Sequence, residues 1–176
     1  MDKRTLTAKI TQHESLLHHK KQQNPEKIAM STLEKAIQIA ANAHAGQTDK
    51  AGEPYILHPL RVMMTVATLE DRMAAVLHDV VEDTAVTLED LRAQGFSVDV
   101  LSAIEALTKR KGETRPLAAQ RARANRIARK VKLGDVADNM NLARIAHPTE
   151  RDFARLREYE VVRAILLADD SIKDNS

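Results

Sequence analysis

Apolar residues recur along this chain at three- and four-residue spacing, in segments separated by short clusters of Gly, Pro, Ser and Asn. Leu33, Ala36, Ile37 and Ala40 predict a helix capped by Ser31. Gly46 to Pro59 reads as a loop, and Pro59 suits the first turn of a helix over about 59–69. A further helix is expected from about Asp71 to Asp83. Thr87 with Asp90 three residues later resembles a capping box opening a short helix, which Gly95-Phe96-Ser97 ends. Ser97 then caps a stretch ending near Arg110, and Lys111 to Pro116 is a loop. Basic helical sequence leads into an element over Val131–Ile145, closed by His147-Pro148. Thr149 with Asp152 caps a last helix, with Phe153, Leu156, Val162, Ile165 and Leu166 on its apolar face. Residues 1–29 form a polar extension in which Leu6, Ile10, Leu16 and Leu17 could make one weak helix. The expectation is one all-α domain over 30–168, with a frayed tail at 169–176.

Composition narrows the class. Four aromatic residues and five Gly in 176 residues argue against a β-sandwich or barrel and against a base-stacking platform. With no Cys, disulfides, thiolate nucleophiles and zinc fingers are excluded, so any metal must be held by His and carboxylate. The start lacks an apolar signal core and no run approaches the ~18 apolar residues of a membrane span. These features predict a soluble cytoplasmic domain without a membrane partner. Net charge is only +2, but Lys109 to Lys132 carries ten bases against the single acid Glu113. Such a run is commonly a solvated helical face, and its sharper reading is an electrostatic funnel for a polyanion.

The remaining chain is acidic, and the acids concentrate in Leu77-His78-Asp79-Val80-Val81-Glu82-Asp83. Periodicity alone would make this an ordinary amphipathic helix. Its polar face, however, holds three carboxylates and an imidazole with no Lys or Arg, so Asp79 and Asp83 repel at i,i+4. A divalent cation would convert that repulsion into attraction. Partners for it must come from elsewhere, and the chain offers His58 before Pro59, and Asp135 with Asn139 one turn later. Taken singly, His58 is a loop histidine at a helix mouth and Asp135 a surface acid pairing with Lys132. His44 reads as a helix-end histidine, a pocket wall being its sharper reading, and His147 as punctuation before Pro148. Met63, Met64, Met73 and Met140 read as core fillers.

His58, His78-Asp79 and the distant Asp135 resemble the signature of the HD metal-dependent phosphohydrolases. Gly52-Glu53-Pro54-Tyr55-Ile56-Leu57-His58-Pro59, His78-Asp79-Val80-Val81-Glu82-Asp83-Thr84 and Lys132-Leu133-Gly134-Asp135 through Asn139-Met140 are similar to a narrower group. That group is the hydrolase domain of the Rel/SpoT stringent-response enzymes and the small alarmone hydrolases. The resemblance runs from about Leu33 to Leu167 and implies an orthogonal helical bundle holding one Mn²⁺ through His58, His78, Asp79 and Asp135. The implied reaction removes the 3′-pyrophosphate from a guanosine or adenosine polyphosphate, with Glu82 and Asp83 orienting and deprotonating water. Metal binding lowers the pKa of water toward about 7. Asn139 would face the same cleft, and Lys50 with part of the basic run, Lys109 and Lys111 included, would meet the phosphates.

Two departures bear on the base. Asp49-Lys50-Ala51-Gly52 stands where the Rel/SpoT enzymes usually have Arg-Lys-Ser-Gly, and Val136 follows Asp135 where they have Arg. The metal ligands are retained while the base-reading wall is altered, which leaves guanine and adenine alarmones both open as substrates. Two other readings compete: an HD phosphohydrolase for another nucleotide or phosphoester, and a non-catalytic nucleotide- or RNA-binding regulator. The retained Glu82-Asp83 pair speaks against the last, and a nucleic-acid partner is disfavoured by the small net charge.

Overall fold

The computed structural model describes residues 30–168, and the expected N-terminal helix and C-terminal tail lie outside the described residues. The described residues fold into α1 (Leu33–Ala43), α2 (Leu57–Met64), α3 (Leu69–Leu77), α4 (Val80–Asp83), α5 (Leu88–Ala93), α6 (Val98–Leu107), α7 (Arg115–Arg123), α8 (Arg126–Met140) and α9 (Glu150–Leu167). A 3₁₀ turn at Leu142–Arg144 follows α8. Among the described residues the only extended pairing is an isolated bridge, Thr48 to Pro54, inside the α1–α2 loop. The all-α expectation holds.

Helix starts follow side-chain chemistry. Thr87 and Thr149 form the expected capping boxes with Asp90 and Asp152, and Ser97 accepts the Val100 N–H. Thr32, not Ser31, caps α1 by accepting the Lys35 N–H. The Ser31 N–H instead donates to the Gly95 carbonyl, which fixes the entering chain one residue ahead of the cap. The helix containing Pro59 begins at Leu57 and ends at Met64 rather than near 69. The basic stretch is two helices, α7 and α8. Asn125 separates them, its side chain accepting the Ile127 and Ala128 N–H groups.

The largest departure is in the segment expected as one helix over 71–83. It breaks at His78-Asp79 into α3 and α4. The Asp79 backbone leaves ideal helix at φ −98° and ψ −7°, and the His78 ring folds back to donate from Nδ1 to the Ala75 carbonyl at 2.7 Å. The Asp83 N–H still reaches the Asp79 carbonyl at 2.9 Å, so those two acids remain one turn apart.

Two helices organise the interior. α3 packs against α1, α2, α6 and α8, and α8 packs against α2, α3, α6, α7 and α9. Ala74, Ala75, Val76 and Leu77 are wholly buried, which explains the run of small and apolar residues without polar relief. Gly134 lets α8 lie directly on the end of α2, where a Cβ would collide with Thr65 Oγ1. The buried Asp71 in the first turn of α3 is tied to Lys130 of α8 at 2.8 Å. Val162 and Leu166 of α9 are buried, while Phe153 is exposed because the first turns of that helix run past the core. Met63 and Met73 fill the core as expected, but Met64, at the solvent side of the last turn of α2, does not. Among the described residues no helix is long and apolar enough to cross a membrane.

Candidate metal centre

α2, the α3–α4 break and α8 deliver four side chains to one point. His58 sits in the first turn of α2, His78 and Asp79 occupy the break, and Asp135 is mid-α8. His58 Nε2 lies 3.3 Å from Asp135 Oδ1 and 3.6 Å from Asp79 Oδ2. His78 Nε2 lies 3.0 Å from Asp79 Oδ2 and 3.8 Å from Asp135 Oδ1. The two imidazoles meet edge to face, 5.2 Å between centroids. His58, His78 and Asp135 are all buried, which the sequence reading of His58 as a loop histidine and Asp135 as a surface acid does not accommodate.

Each ring is oriented from behind. A carbonyl only accepts, so the His78 bond to Ala75 O places the proton on Nδ1 and turns Nε2 inward. His58 Nδ1 lies 2.7 Å from Asp138 Oδ2, which likewise leaves Nε2 facing the cluster. Tyr55 Oη donates to Asp79 Oδ2 at 2.5 Å, and Asn139 Nδ2 donates to Asp135 Oδ1 at 2.5 Å. Lys132 Nζ pairs with Asp135 Oδ2 at 2.8 Å, as a surface pair would, but from the second oxygen of a buried carboxylate.

The donor set fits a divalent cation. His78 Nε2 is buried and makes no hydrogen bond despite its 3.0 Å approach to Asp79, and one donor atom each from His58, His78 and Asp135 lie within 4.8 Å of one another. Two imidazole nitrogens with hard carboxylate oxygens are a ligand set for a first-row metal or zinc. The electrostatics agree. Burial opposes charge on His78, yet the Asp79 and Asp135 carboxylates overcome it and push its pKa up to about 10. Burial likewise opposes ionisation of Asp79, and the His78 charge holds it down to about 2. The cluster therefore draws in positive charge.

Glu82 and Asp83 stand beside this cluster on α4. Glu82 lines a cavity of about 340 Å³ next to the cluster, but its Oε2 also accepts the Lys109 N–H at 2.7 Å. Asp83 is exposed, and its carboxyl is raised by partial desolvation and by the neighbouring Asp79 and Glu82. Lys50 and Lys109 line the cavity, as does Asn139. Lys111 does not; it lies exposed on the turn before α7, away from the cavity wall. A second cavity of about 170 Å³ shares Lys50, Tyr55, His58 and Asn139 and is closed by Asp49 and Arg144. His44 is buried, hydrogen-bonded through Nδ1 to Gln47 and 4.8 Å from the Tyr55 ring.

Several side chains at the site escaped sequence reading. Tyr55, Arg155 and Tyr159 also line the larger cavity, beside Arg115 of the basic run. Asp138 contacts His58, and it could have been found: Asp135, Asp138 and Asn139 share one helical face at i, i+3 and i+4. Arg155 and Tyr159 share a face too, but nothing in the sequence says which face of α9 meets the cavity.

The sequence profile of the HD domain matches residues 36–169. The chain belongs to the HD domain family. Among its relatives, the bifunctional (p)ppGpp synthase/hydrolase SpoT of Escherichia coli strain K12 is 43% identical over 81 residues, 44% of this chain and 11% of that protein. A probable GTP pyrophosphokinase of Mycobacterium leprae is 34% identical over 146 residues, 75% of this chain and 18% of that protein. The chain thus spans 11% and 18% of the length of these two curated relatives. A solved structure of a metazoan ortholog of SpoT that hydrolyzes ppGpp aligns with a TM-score of 0.67 and 25% identity, covering 82% of this chain and 88% of that one. This HD domain implies a divalent metal, and His58, His78 and Asp135 can hold it.

Proposed function

We propose that this HD domain is a cytoplasmic, Mn²⁺-dependent hydrolase that removes the 3′-pyrophosphate from (p)ppGpp or (p)ppApp. The observation that carries the reading is the convergence of two inward-facing imidazole nitrogens and two carboxylates between a cation-lined cavity and a smaller polar one. The (p)ppGpp chemistry in the names of the relatives supports the same substrate class.

His58, His78, Asp79 and Asp135 would hold the metal. When bound, a divalent cation there supplies Lewis acidity and lowers the pKa of water toward about 7. Glu82 and Asp83 would orient the attacking water and accept its proton. Water adds at the phosphorus bonded to O3′, the P–O3′ bond breaks, and the proton taken from the water passes to O3′, giving free pyrophosphate and a 3′-hydroxyl. Lys109, Arg115 and Arg155 face the cavity that would take the pyrophosphate, while Lys50 and Asn139 stand between the two cavities.

A nucleic-acid-binding role draws little support from the basic run. Arg121 bonds the Thr108 carbonyl and Glu113, Arg129 the Leu166 carbonyl, Lys130 Asp71 and Lys132 Asp135, so these four bases of the ten serve the fold and the site. The test is pyrophosphate release with Mn²⁺ from ppGpp and ppApp side by side. His78→Ala and Asp135→Ala should abolish it. Release at the wild-type rate by both variants would sink the site, and turnover of a nucleoside monophosphate in place of either alarmone would favour the broader phosphohydrolase reading.

A further inference from the structure

Asp138 takes part in no step of the reaction above, yet it gathers three cationic or imidazole partners, as many as Asp135. Its Oδ2 lies 2.7 Å from His58 Nδ1. Arg61 donates to it twice, from Nε to Oδ1 at 2.6 Å and from Nη2 to Oδ2 at 3.0 Å. Arg144 Nη2 adds bonds to the Asp138 carbonyl at 3.0 Å and approaches Oδ2 at 3.2 Å. We propose that Asp138 is a positioning residue for the metal centre: held by the Arg61 fork and Arg144, it fixes the tautomer and rotation of His58 so that Nε2 is presented to the metal.

The argument is geometric. A histidine side chain can be turned with either ring nitrogen inward, and both states of His58 would fill the same space. The contact with Asp138 distinguishes them, because a carboxylate accepts from Nδ1–H and leaves the Nε2 lone pair directed at Asp79 and Asp135. Its two oxygens are themselves fixed, one by Arg61 alone and one shared among Arg61, Arg144 and His58, so the acceptor cannot swing away. A plain surface ion pair would need no imidazole at 2.7 Å. Arg144 further donates from Nη1 to Asp49 Oδ2 at 2.8 Å, and Asp49 Oδ1 in turn accepts the Ala51 and Glu53 N–H groups. The α1–α2 loop and His58 are therefore braced through one carboxylate.

The proposal rests on the reading of the cluster as a metal centre, and its test needs no nucleotide. Mn²⁺ and Co²⁺ alone are titrated into the full chain and into Asp138→Ala, Asp138→Asn and Arg61→Gln, with the metal-free melting temperature followed for each. Asp138→Ala should weaken Mn²⁺ binding about 10–100-fold and alter the visible spectrum of the Co²⁺ form. Asp138→Asn, which keeps an acceptor oxygen for Nδ1–H, should recover part of that loss and carries the test if the Ala variant does not fold. Arg61→Gln should lower the melting temperature but keep Mn²⁺ affinity within about threefold, because Arg144 still holds Asp138 Oδ2 beside His58 Nδ1. Wild-type affinity and an unchanged Co²⁺ spectrum in both Asp138 variants would overturn the proposal alone. So would a loss in Arg61→Gln as large as in Asp138→Ala. A wild-type chain that binds neither ion would overturn the metal centre and this proposal with it.

Discussion

Glu82 has two jobs in the proposed reaction, and one substitution separates them. Its carboxylate stands beside the metal cluster, and Oε2 accepts the backbone N–H of Lys109 at 2.7 Å, a bond that ties α4 to the loop presenting Lys109 to the cavity. Glu82→Gln keeps an acceptor oxygen for that N–H and removes only the basic charge. Glu82→Ala removes both. Loss of a general base costs about 10²–10⁴ in rate, or about 3–5 kcal/mol in the barrier. Loss of the exposed Lys109 bond is worth about 1 kcal/mol, which is roughly fivefold in a binding constant. Steady-state pyrophosphate release should therefore show kcat falling by about two to four decades in Glu82→Gln with KM within about twofold. Glu82→Ala should show the same kcat loss with KM raised roughly fivefold. A Glu82→Gln enzyme that keeps its kcat within about threefold would refute Glu82 as the base and leave Asp83 to take the proton.

Four other outcomes follow from the same geometry. Mn²⁺ at about 100 times its Kd should stabilise the fold by about 2.7 kcal/mol, raising Tm by roughly 5–11 °C in calorimetry, and His78→Ala should lose the shift. Gly134→Ala drives a Cβ against Thr65 Oγ1, which is held by the Val62 carbonyl at 2.7 Å; urea melts should show a net loss of about 1 kcal/mol after the helix-propensity gain, and a gain would contradict the packing. Asp90 and Asp152 are lowered by their side-chain and backbone hydrogen bonds to Thr87 and Thr149, so their contribution is present above the unfolded carboxylate pKa near 3.9 and fades as pH falls through the folded values. Melts between pH 5 and 2 should flatten in Asp90→Asn and Asp152→Asn. Arg144→Leu should raise KM for ppGpp and ppApp by similar factors, and a loss confined to one nucleotide would show that Arg144 reads a base edge.

Three helix starts were legible because they depend on residues three apart, whereas α1 is capped by Thr32 because Ser31 is held by the distant Gly95 carbonyl. Thr87 with Asp90, Thr149 with Asp152, and Ser97 each act through their own first turn, so no distant contact can move them. Interior breaks were not legible. Ala, Arg and Leu favour helix on both sides of Asn125, and the α3–α4 break depends on a histidine ring turning toward the Ala75 carbonyl inside a packed core. The same division applies to the site. The resemblance to the HD phosphohydrolases implied His58, His78, Asp79 and Asp135 as one set, and the fold brings these four side chains together; from the residues alone, only the crowding of acids around His78-Asp79 without counter-charges pointed there. Asp138 shares a helical face with Asp135 and Asn139, but its role depends on α2 and the 3₁₀ turn bringing two arginines and His58 onto it.

The altered α1–α2 loop acquires a different meaning once its partners are known. In sequence, Asp49 marks the loss of a guanidinium from the wall of the proposed nucleotide site. In the fold, its Oδ1 accepts the N–H groups two and four residues on, and its Oδ2 binds Arg144 from the 3₁₀ turn. The guanidinium at that wall is thus supplied by another element, with Asp49 as its anchor. A planar guanidinium can lie against either purine and ranks neither above the other. On the proposed assignment, discrimination between guanine and adenine falls to the polar groups that share the smaller cavity, Thr48 and Asn141 on one side and Asn139 on the other. Asn139 already spends its amide N–H on Asp135, so its free acceptor oxygen is what it can offer a ligand.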